Sequence, residues 1–122
     1  MEKILSGNLN KEKKRRGWFI GHFMDRTSPF KSDDFEVKWR VHPKGEKKKF
    51  PAFNEKARTI SILISGKFAV RFPDKEIILR KAGDFEYHGA KVAHSSEALS
   101  NSVVLTIRWP SLPEDQKLLR KK

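Results

Sequence analysis

The chain has 122 residues and a net charge of +12, from 27 Lys and Arg against 15 Asp and Glu, and it contains no cysteine. This length is typical of one domain, and the content of 37% apolar and 34% charged residues is that of a globular protein rather than a disordered one. The lack of cysteine excludes disulfides and thiolate metal sites. No apolar run approaches the roughly 20 residues that span a bilayer, and the first residues lack the apolar core of a secretion signal. We therefore expect a cytoplasmic protein with no membrane segment.

The basic excess is concentrated in three blocks, KEKKRR at 11–16, KGEKKK at 44–49 and LLRKK at 118–122. Such blocks attract the phosphates of nucleic acid, so a nucleic-acid-interacting protein is one interpretation. RNA-binding strands, however, tend to interleave aromatic with basic side chains, and here the two are mostly segregated. We therefore interpret the blocks as solvated loops and ends, with a basic N-terminal extension at 1–16 and a basic C-terminal tail at 111–122.

Short segments with period-two alternation follow one another along the chain and predict β-strands. In order they are GWFIGHF (17–23), FEVKWRVH (35–42), RTISILISG (58–66), KFAVRF (67–72), IILR (77–80), FEYH (85–88) and NSVVLTIRWP (101–110). Gly- and Pro-containing turns separate most of them, and no segment shows a sustained helical period. The pattern predicts a single all-β domain over 17–110, either a sandwich or a barrel.

The segment GDFEYHGAKVAH resembles the second sequence motif of the cupin superfamily. Gly83 and His94 have the spacing of that motif, and Gly89 falls in its turn. The segment ISILISGKFAV likewise resembles the end of the first cupin motif, with Gly66 at its closing glycine. The resemblance covers roughly residues 35–109. It implies a double-stranded β-helix, or jelly-roll barrel, that is often dimeric.

The resemblance also implies a metal site, which in active cupins combines two histidines and a glutamate of the first motif with the second-motif histidine. The corresponding first-motif positions are Pro51, Phe53 and Thr59, so only His94 remains. Because a catalytic metal needs about three protein ligands, we expect a degenerate or absent metal site. The alternative is a divergent isomerase, lyase or oxygenase with a divalent transition metal in a rearranged set. That set would consist of His94, His42, His88 and Glu55.

The mouth of the barrel is the expected binding site, because barrel mouths commonly hold small molecules. The register of the resemblance directs Thr59 and Ser61 inward beside His94 and Ser96. Simple alternation would instead bury Ile60, Ile62 and Ile64. Both rows are satisfied if one face of this strand lines the cavity and the other packs against a second subunit, which predicts a homodimer.

Arg108 completes the set of expected ligand-binding residues. Its guanidinium can donate two parallel hydrogen bonds to a carboxylate or a phosphate. Lys38 and Arg40 are expected to face solvent, as the polar half of the amphipathic strand at 35–42. The sequence therefore predicts a barrel that binds a small polar or anionic ligand, such as a carboxylate, a sugar acid or a phosphate.

Overall fold

The computed structural model describes residues 3–11, 14–48 and 50–119, and it consists almost entirely of β-strands and connecting turns. Residues 1–2, 12–13, 49 and 120–122, which include part of each basic block, lie outside the described residues. The strands are β1 (Trp18–Ile20), β2 (Glu36–His42), β3 (Ala52–Asn54), β4 (Arg58–Ser65), β5 (Phe68–Phe72), β6 (Lys75–Leu79), β7 (Phe85–His88), β8 (Ser95–Ala98), β9 (Ser102–Trp109) and β10 (Gln116–Leu118). The all-β prediction is confirmed. No helix in the described ranges is long and apolar enough to cross a membrane.

The strands form antiparallel sheets whose members alternate along the chain. One sheet has the order β1-β2-β9-β4-β7, a second has the order β6-β5-β8, and β10 pairs with β3. From β4 onward the chain passes to the second sheet for β5 and β6, returns for β7, crosses again for β8 and returns for β9. This crossing between two facing sheets is the architecture of a jelly roll. The prediction of a double-stranded β-helix is confirmed.

The inner faces of the strands change from polar to apolar along the barrel. On β4 the inner row runs from Thr59 through Ser61 to Leu63, which are 3%, 8% and 0% exposed. The apolar end joins a core of buried side chains whose members are Leu63, Phe68, Val70, Leu79, Ala98 and Val104. Burial of this cluster stabilises the closed end of the barrel. The polar end is left to line a cavity.

Strand β4 decides between the two registers that the sequence allowed. Its isoleucines at 60, 62 and 64 are only partly buried on the outer face, and the row that contains Thr59 faces inward. The register given by the cupin resemblance is therefore correct, and simple alternation is wrong about which row is inside. The reason is that the interior of this barrel is a polar cavity at one end, so the more apolar row packs outside.

The segment expected to be a C-terminal tail contributes a strand in its described portion. Strand β10 pairs with β3, and Ser111 and Asp115 are 1% and 9% exposed. The carboxylate of Asp115 accepts hydrogen bonds from the backbone N–H groups of Lys56 and Ala57, at 3.0 Å each. The boundary expected after residue 110 therefore does not mark the end of the folded domain.

Candidate functional site

A cavity of about 580 Å³ is lined by both larger sheets together with β3 and β10. This volume lies within the range that is usual for small-molecule sites. The structure places on its wall all five residues that the sequence indicated for ligand binding, namely His94, Thr59, Ser61, Ser96 and Arg108. Their contact with a ligand stays a prediction.

Two rows of side chains cross the cavity wall from β2 to β7. The residues of one row are Glu36, Arg108, Thr59 and His88, and those of the other are Lys38, Thr106, Ser61 and Glu86. Residues directly opposite each other in an antiparallel pair have their Cα atoms about 4.5–5.5 Å apart. The register therefore puts basic groups on β2 and β9 at one side of the wall, and a histidine and a carboxyl on β7 at the other.

Lys38 and Arg40 line this cavity, so the expectation that they face solvent is wrong. The polar row of β2 points into the barrel, and Val41 of the apolar row is 49% exposed outside. Arg40 binds the carboxylate of Glu46 through Nε and Nη2, at 3.3 and 3.0 Å. The period of a strand gives two rows but does not say which one faces inward, and here the cavity takes the polar one.

The pKa of Lys38 is lowered to about 7 because the amine is removed from water and surrounded by like charges. Desolvation is the largest cause, followed by Arg108, Lys48, Arg40 and Arg16. No carboxylate of the described residues lies within ion-pair distance of Lys38; its Nζ is instead 5.1 Å from the centre of the Trp18 ring. The cavity wall thus holds a cation that the protein itself leaves uncompensated.

The basic blocks contribute to the same cavity. Arg16 comes from the first block, and Lys47 and Lys48 come from the second. Among the described lining residues, Lys and Arg number six (Arg16, Lys38, Arg40, Lys47, Lys48 and Arg108), whereas the acids are Glu46 and Glu86. These described parts of the blocks are therefore not only solvated loops, because part of the excess charge is directed at the cavity.

Glu86 and His88 form a buried pair at the β7 side of the cavity. The distance between His88 Nδ1 and Glu86 Oε1 is 2.7 Å, and the two side chains are 5% and 0% exposed. The second atoms of both groups, His88 Nε2 and Glu86 Oε2, have no hydrogen-bond partner, and neither does Thr59 Oγ1 in the same wall. Buried polar atoms normally have partners, so these atoms point to a polar molecule that completes the site. Glu86 was not singled out as a ligand-binding residue, although the alternation in FEYH groups it with His88.

His94 stacks against His88, with ring centroids 4.1 Å apart. Its Nδ1 lies 3.0 Å from the carbonyl oxygen of Val92, and its backbone pairs with that of Ala52. Burial, followed by the neighbouring His88, lowers the pKa of His94 to about 4, so the ring is neutral at pH 7. With the Nδ1–H donated to the carbonyl, Nε2 is left as a hydrogen-bond acceptor.

The rearranged metal set is not assembled. His42 lies on the cavity wall, but its Nδ1 is 2.6 Å from Glu46 Oε1 and burial lowers its pKa to about 4. Glu55 does not line the cavity, and its backbone N–H donates to the carbonyl oxygen of Asp115. Across the described ranges no group of three or more His, Cys, Asp or Glu side chains is placed to hold a metal ion together. The residues present therefore do not fit a three-ligand metal centre.

Solved structures resemble this chain over most of its length. A cupin protein from Bacteroides fragilis is 22% identical, with a TM-score of 0.56 over 73% of this chain and 72% of that one. KdgF from Halomonas sp. is 20% identical, with a TM-score of 0.61 over 77% of this chain and 94% of that one. The DMSP lyase DddQ from Ruegeria pomeroyi DSS-3 is 19% identical, with a TM-score of 0.61 over 77% of this chain. The chain has the cupin fold.

The cupin resemblance seen in the two sequence motifs is thus confirmed at the level of the fold. This chain spans only 47% of the length of DddQ. No family model matches the chain, and no curated protein matches it. Because one fold serves many chemistries, function has to be argued from the cavity.

Proposed function

We propose that this cupin-fold protein binds a small carboxylate- or phosphate-bearing molecule in its barrel cavity without the help of a metal. The observation that carries the proposal is Lys38, a cavity-lining ammonium with no carboxylate partner among the described residues and with cations around it. A buried charge is normally paired. An anionic ligand would supply the missing partner.

The neighbouring groups suit an anion that also carries hydroxyl or carbonyl groups. Arg108 presents a guanidinium whose Nε has no partner, while its Nη1 lies 3.3 Å from Glu36 Oε2. Thr59, Ser61 and Ser96 add hydroxyl groups to the wall. The site therefore combines a positive pole for the acid group with donors and acceptors for the rest of the molecule.

The alternatives have less support. A metal-dependent enzyme needs a ligand set that the structure does not bring together. Nucleic-acid binding rests on the basic blocks, yet their described members Arg16, Lys47 and Lys48 line the cavity. A basic rim around a concave site attracts small anions and speeds their association.

Isothermal titration calorimetry tests the proposal with pyruvate, D-glucuronate and inorganic phosphate as probes. We expect at least one of them to bind, with uptake of part of a proton at a pH just above 7. The reason is that the anion raises the pKa of Lys38 from its value of about 7, so the complex holds more protons than the free protein. Proton uptake is measured as the dependence of the binding enthalpy on the ionisation enthalpy of the buffer.

The matched variants are Lys38→Met and Lys75→Met. Lys75 is an exposed lysine on β6 that does not line the cavity, so its removal changes net charge equally without altering the wall. We expect Lys38→Met to abolish binding and proton uptake, and Lys75→Met to retain both. Failure of all three probes to bind at millimolar concentration, or equal binding by both variants, would overturn the proposal.

A further inference from the structure

Lys38 differs from the two arginines nearest to it in the cavity wall. Arg40 and Arg108 each hold an ion pair with a glutamate, at 3.0 and 3.3 Å. Lys38 has only the face of Trp18 near its amine, at 5.1 Å from the ring centre, and no described carboxylate within ion-pair distance. Its nitrogen is therefore the cavity group on β2 that is free to meet a ligand atom directly.

Positive groups face this nitrogen from several elements. Arg108 lies on β9, Arg40 on β2 itself, Lys48 in the segment after β2, and Arg16 before β1. Together with desolvation they lower the pKa of Lys38 to about 7, so a large fraction of the amine is unprotonated at neutral pH. An unprotonated amine has a lone pair and is a nucleophile, whereas an ammonium is not.

The cross-strand row of Lys38 provides groups that can move protons. Thr106 lies directly opposite it on β9, and Ser61 and Glu86 continue the row on β4 and β7. Glu86 keeps one carboxyl oxygen, Oε2, without a partner. A hydroxyl–carboxyl row across from an amine is suited to the proton transfers that accompany loss of water from a carbonyl adduct.

We propose that Lys38 forms an imine with a carbonyl-bearing carboxylate, such as a 2-oxo acid, bound in the barrel cavity. This inference rests on the proposed anion binding and narrows the ligand class. The guanidinium groups of Arg40 and Arg108 hold the carboxylate, which leaves the adjacent carbonyl carbon for the amine between them. Arg40 and Arg108 remain charged throughout and cannot themselves form the adduct.

The bond changes balance without an oxidant or a second substrate. Neutral Nζ of Lys38 donates its lone pair to the carbonyl carbon, and the π electrons of the carbonyl pass to its oxygen, which takes up a proton. The nitrogen then loses a proton, the hydroxyl group leaves with another proton as water, and a C=N double bond forms. Amine and ketone thus give imine and water.

Reductive trapping with sodium pyruvate and sodium borohydride tests the inference on the full chain. The hydride adds to the imine carbon and converts the adduct to a stable secondary amine. We expect one addition per chain, with the mass of pyruvic acid less one oxygen atom, and peptide mass analysis should place it on Lys38. In Lys38→Arg, which keeps the positive charge but has no reactive amine, we expect pyruvate binding to persist and trapping to disappear.

The outcomes separate the two proposals. If calorimetry shows that pyruvate binds but borohydride leaves Lys38 unmodified, imine formation is wrong and anion binding stands. The same conclusion follows if modification is spread equally over Lys38 and exposed lysines such as Lys75. If none of the three anions binds, the proposed function fails and the imine fails with it. Trapping that is confined to Lys38 and is suppressed by an excess of inorganic phosphate supports both.

Discussion

Lys38 lowers the stability of the fold in which it sits. Its ammonium is desolvated beside Arg108 and Arg40 and has no compensating carboxylate in the part of the chain that the structure describes. A charge buried without a partner destabilises the folded state until a ligand or a lost proton neutralises it. Binding sites commonly retain such destabilising groups because function requires them.

Lys38→Met should therefore stabilise the protein while abolishing anion binding. Methionine keeps the length and apolar contacts of the lysine stem but removes the charge. We expect the free energy of unfolding near pH 7 to rise by on the order of 2–4 kcal/mol, since each unit of pKa shift corresponds to about 1.4 kcal/mol. Urea denaturation of wild type and variant measures the difference.

The sign of this effect is checked by its dependence on pH. The pKa of Lys38 is about 7 in the folded state and 10.5 in the unfolded chain, so between these values the unfolded state binds more protons. Wild-type stability should rise with pH across this window, and the advantage of Lys38→Met should shrink towards zero. Lys75→Met, at an exposed position, should show no such pH-dependent difference. An advantage that is constant from pH 7 to 10.5 would contradict the assignment.

At the scale of the strand, alternation predicted where most strands lie but not which face is inside. In β2 and β7 the polar row faces the cavity, and Phe85 and Tyr87 are 61% and 49% exposed. The reason is that a barrel with a polar interior reverses the usual relation between hydrophobicity and burial. The cupin resemblance supplied the correct inner register at Thr59, because a motif carries the orientation of its residues as well as their period.

Three short strands escaped sequence-based prediction for a different reason. Strands β3, β8 and β10 are three or four residues long, and their local sequences lack a run of β-branched residues. Their conformation comes from pairing with distant segments, as β10 does with β3. Glu86 and Lys38 were missed as site residues because their significance depends on which row lines the cavity, a tertiary property that residue type alone does not reveal.

Gly66 makes the tight turn between β4 and β5 possible. Its φ is +98°, and a Cβ atom there would lie 2.4 Å from the carbonyl oxygen of Asn101 and 2.5 Å from Ser102 Oγ. Gly66→Ala should lower the free energy of unfolding by about 2–4 kcal/mol, because it adds a backbone clash to the cost of a left-handed conformation. Chemical denaturation measures this loss.

Gly89, at the turn of the second motif, is the matched control. A Cβ atom at Gly89 would meet only Tyr87 Oη, at 3.8 Å, which is an ordinary contact. Gly89→Ala should change stability by less than about 0.5 kcal/mol. Equal losses in the two variants would show that the difference in local space at the two turns has no influence on stability.

At the scale of the whole molecule, the reversed polarity of the strands leaves an apolar face on the outside of the five-stranded sheet. Two outer rows cross β2, β9, β4 and β7; they consist of Val37, Ile107, Ile60 and Tyr87, and of Trp39, Leu105, Ile62 and Phe85. Contiguous apolar patches of this kind mark interaction surfaces. A flat face that carries the same side chains in every copy can pair with itself about a two-fold axis.

We therefore propose a homodimer formed through this outer sheet face, and Phe85→Glu tests it. Phe85 is 61% exposed in the single chain, so the substitution leaves the core intact, yet in a two-fold interface it would bury two unpaired carboxylates. Light scattering after size-exclusion chromatography should show a dimer for wild type and a monomer for the variant. Leu119→Glu, at a 42% exposed leucine that follows β10, should remain dimeric. A monomeric wild type, or a dimer that Phe85→Glu leaves unchanged, would place the function of this face elsewhere.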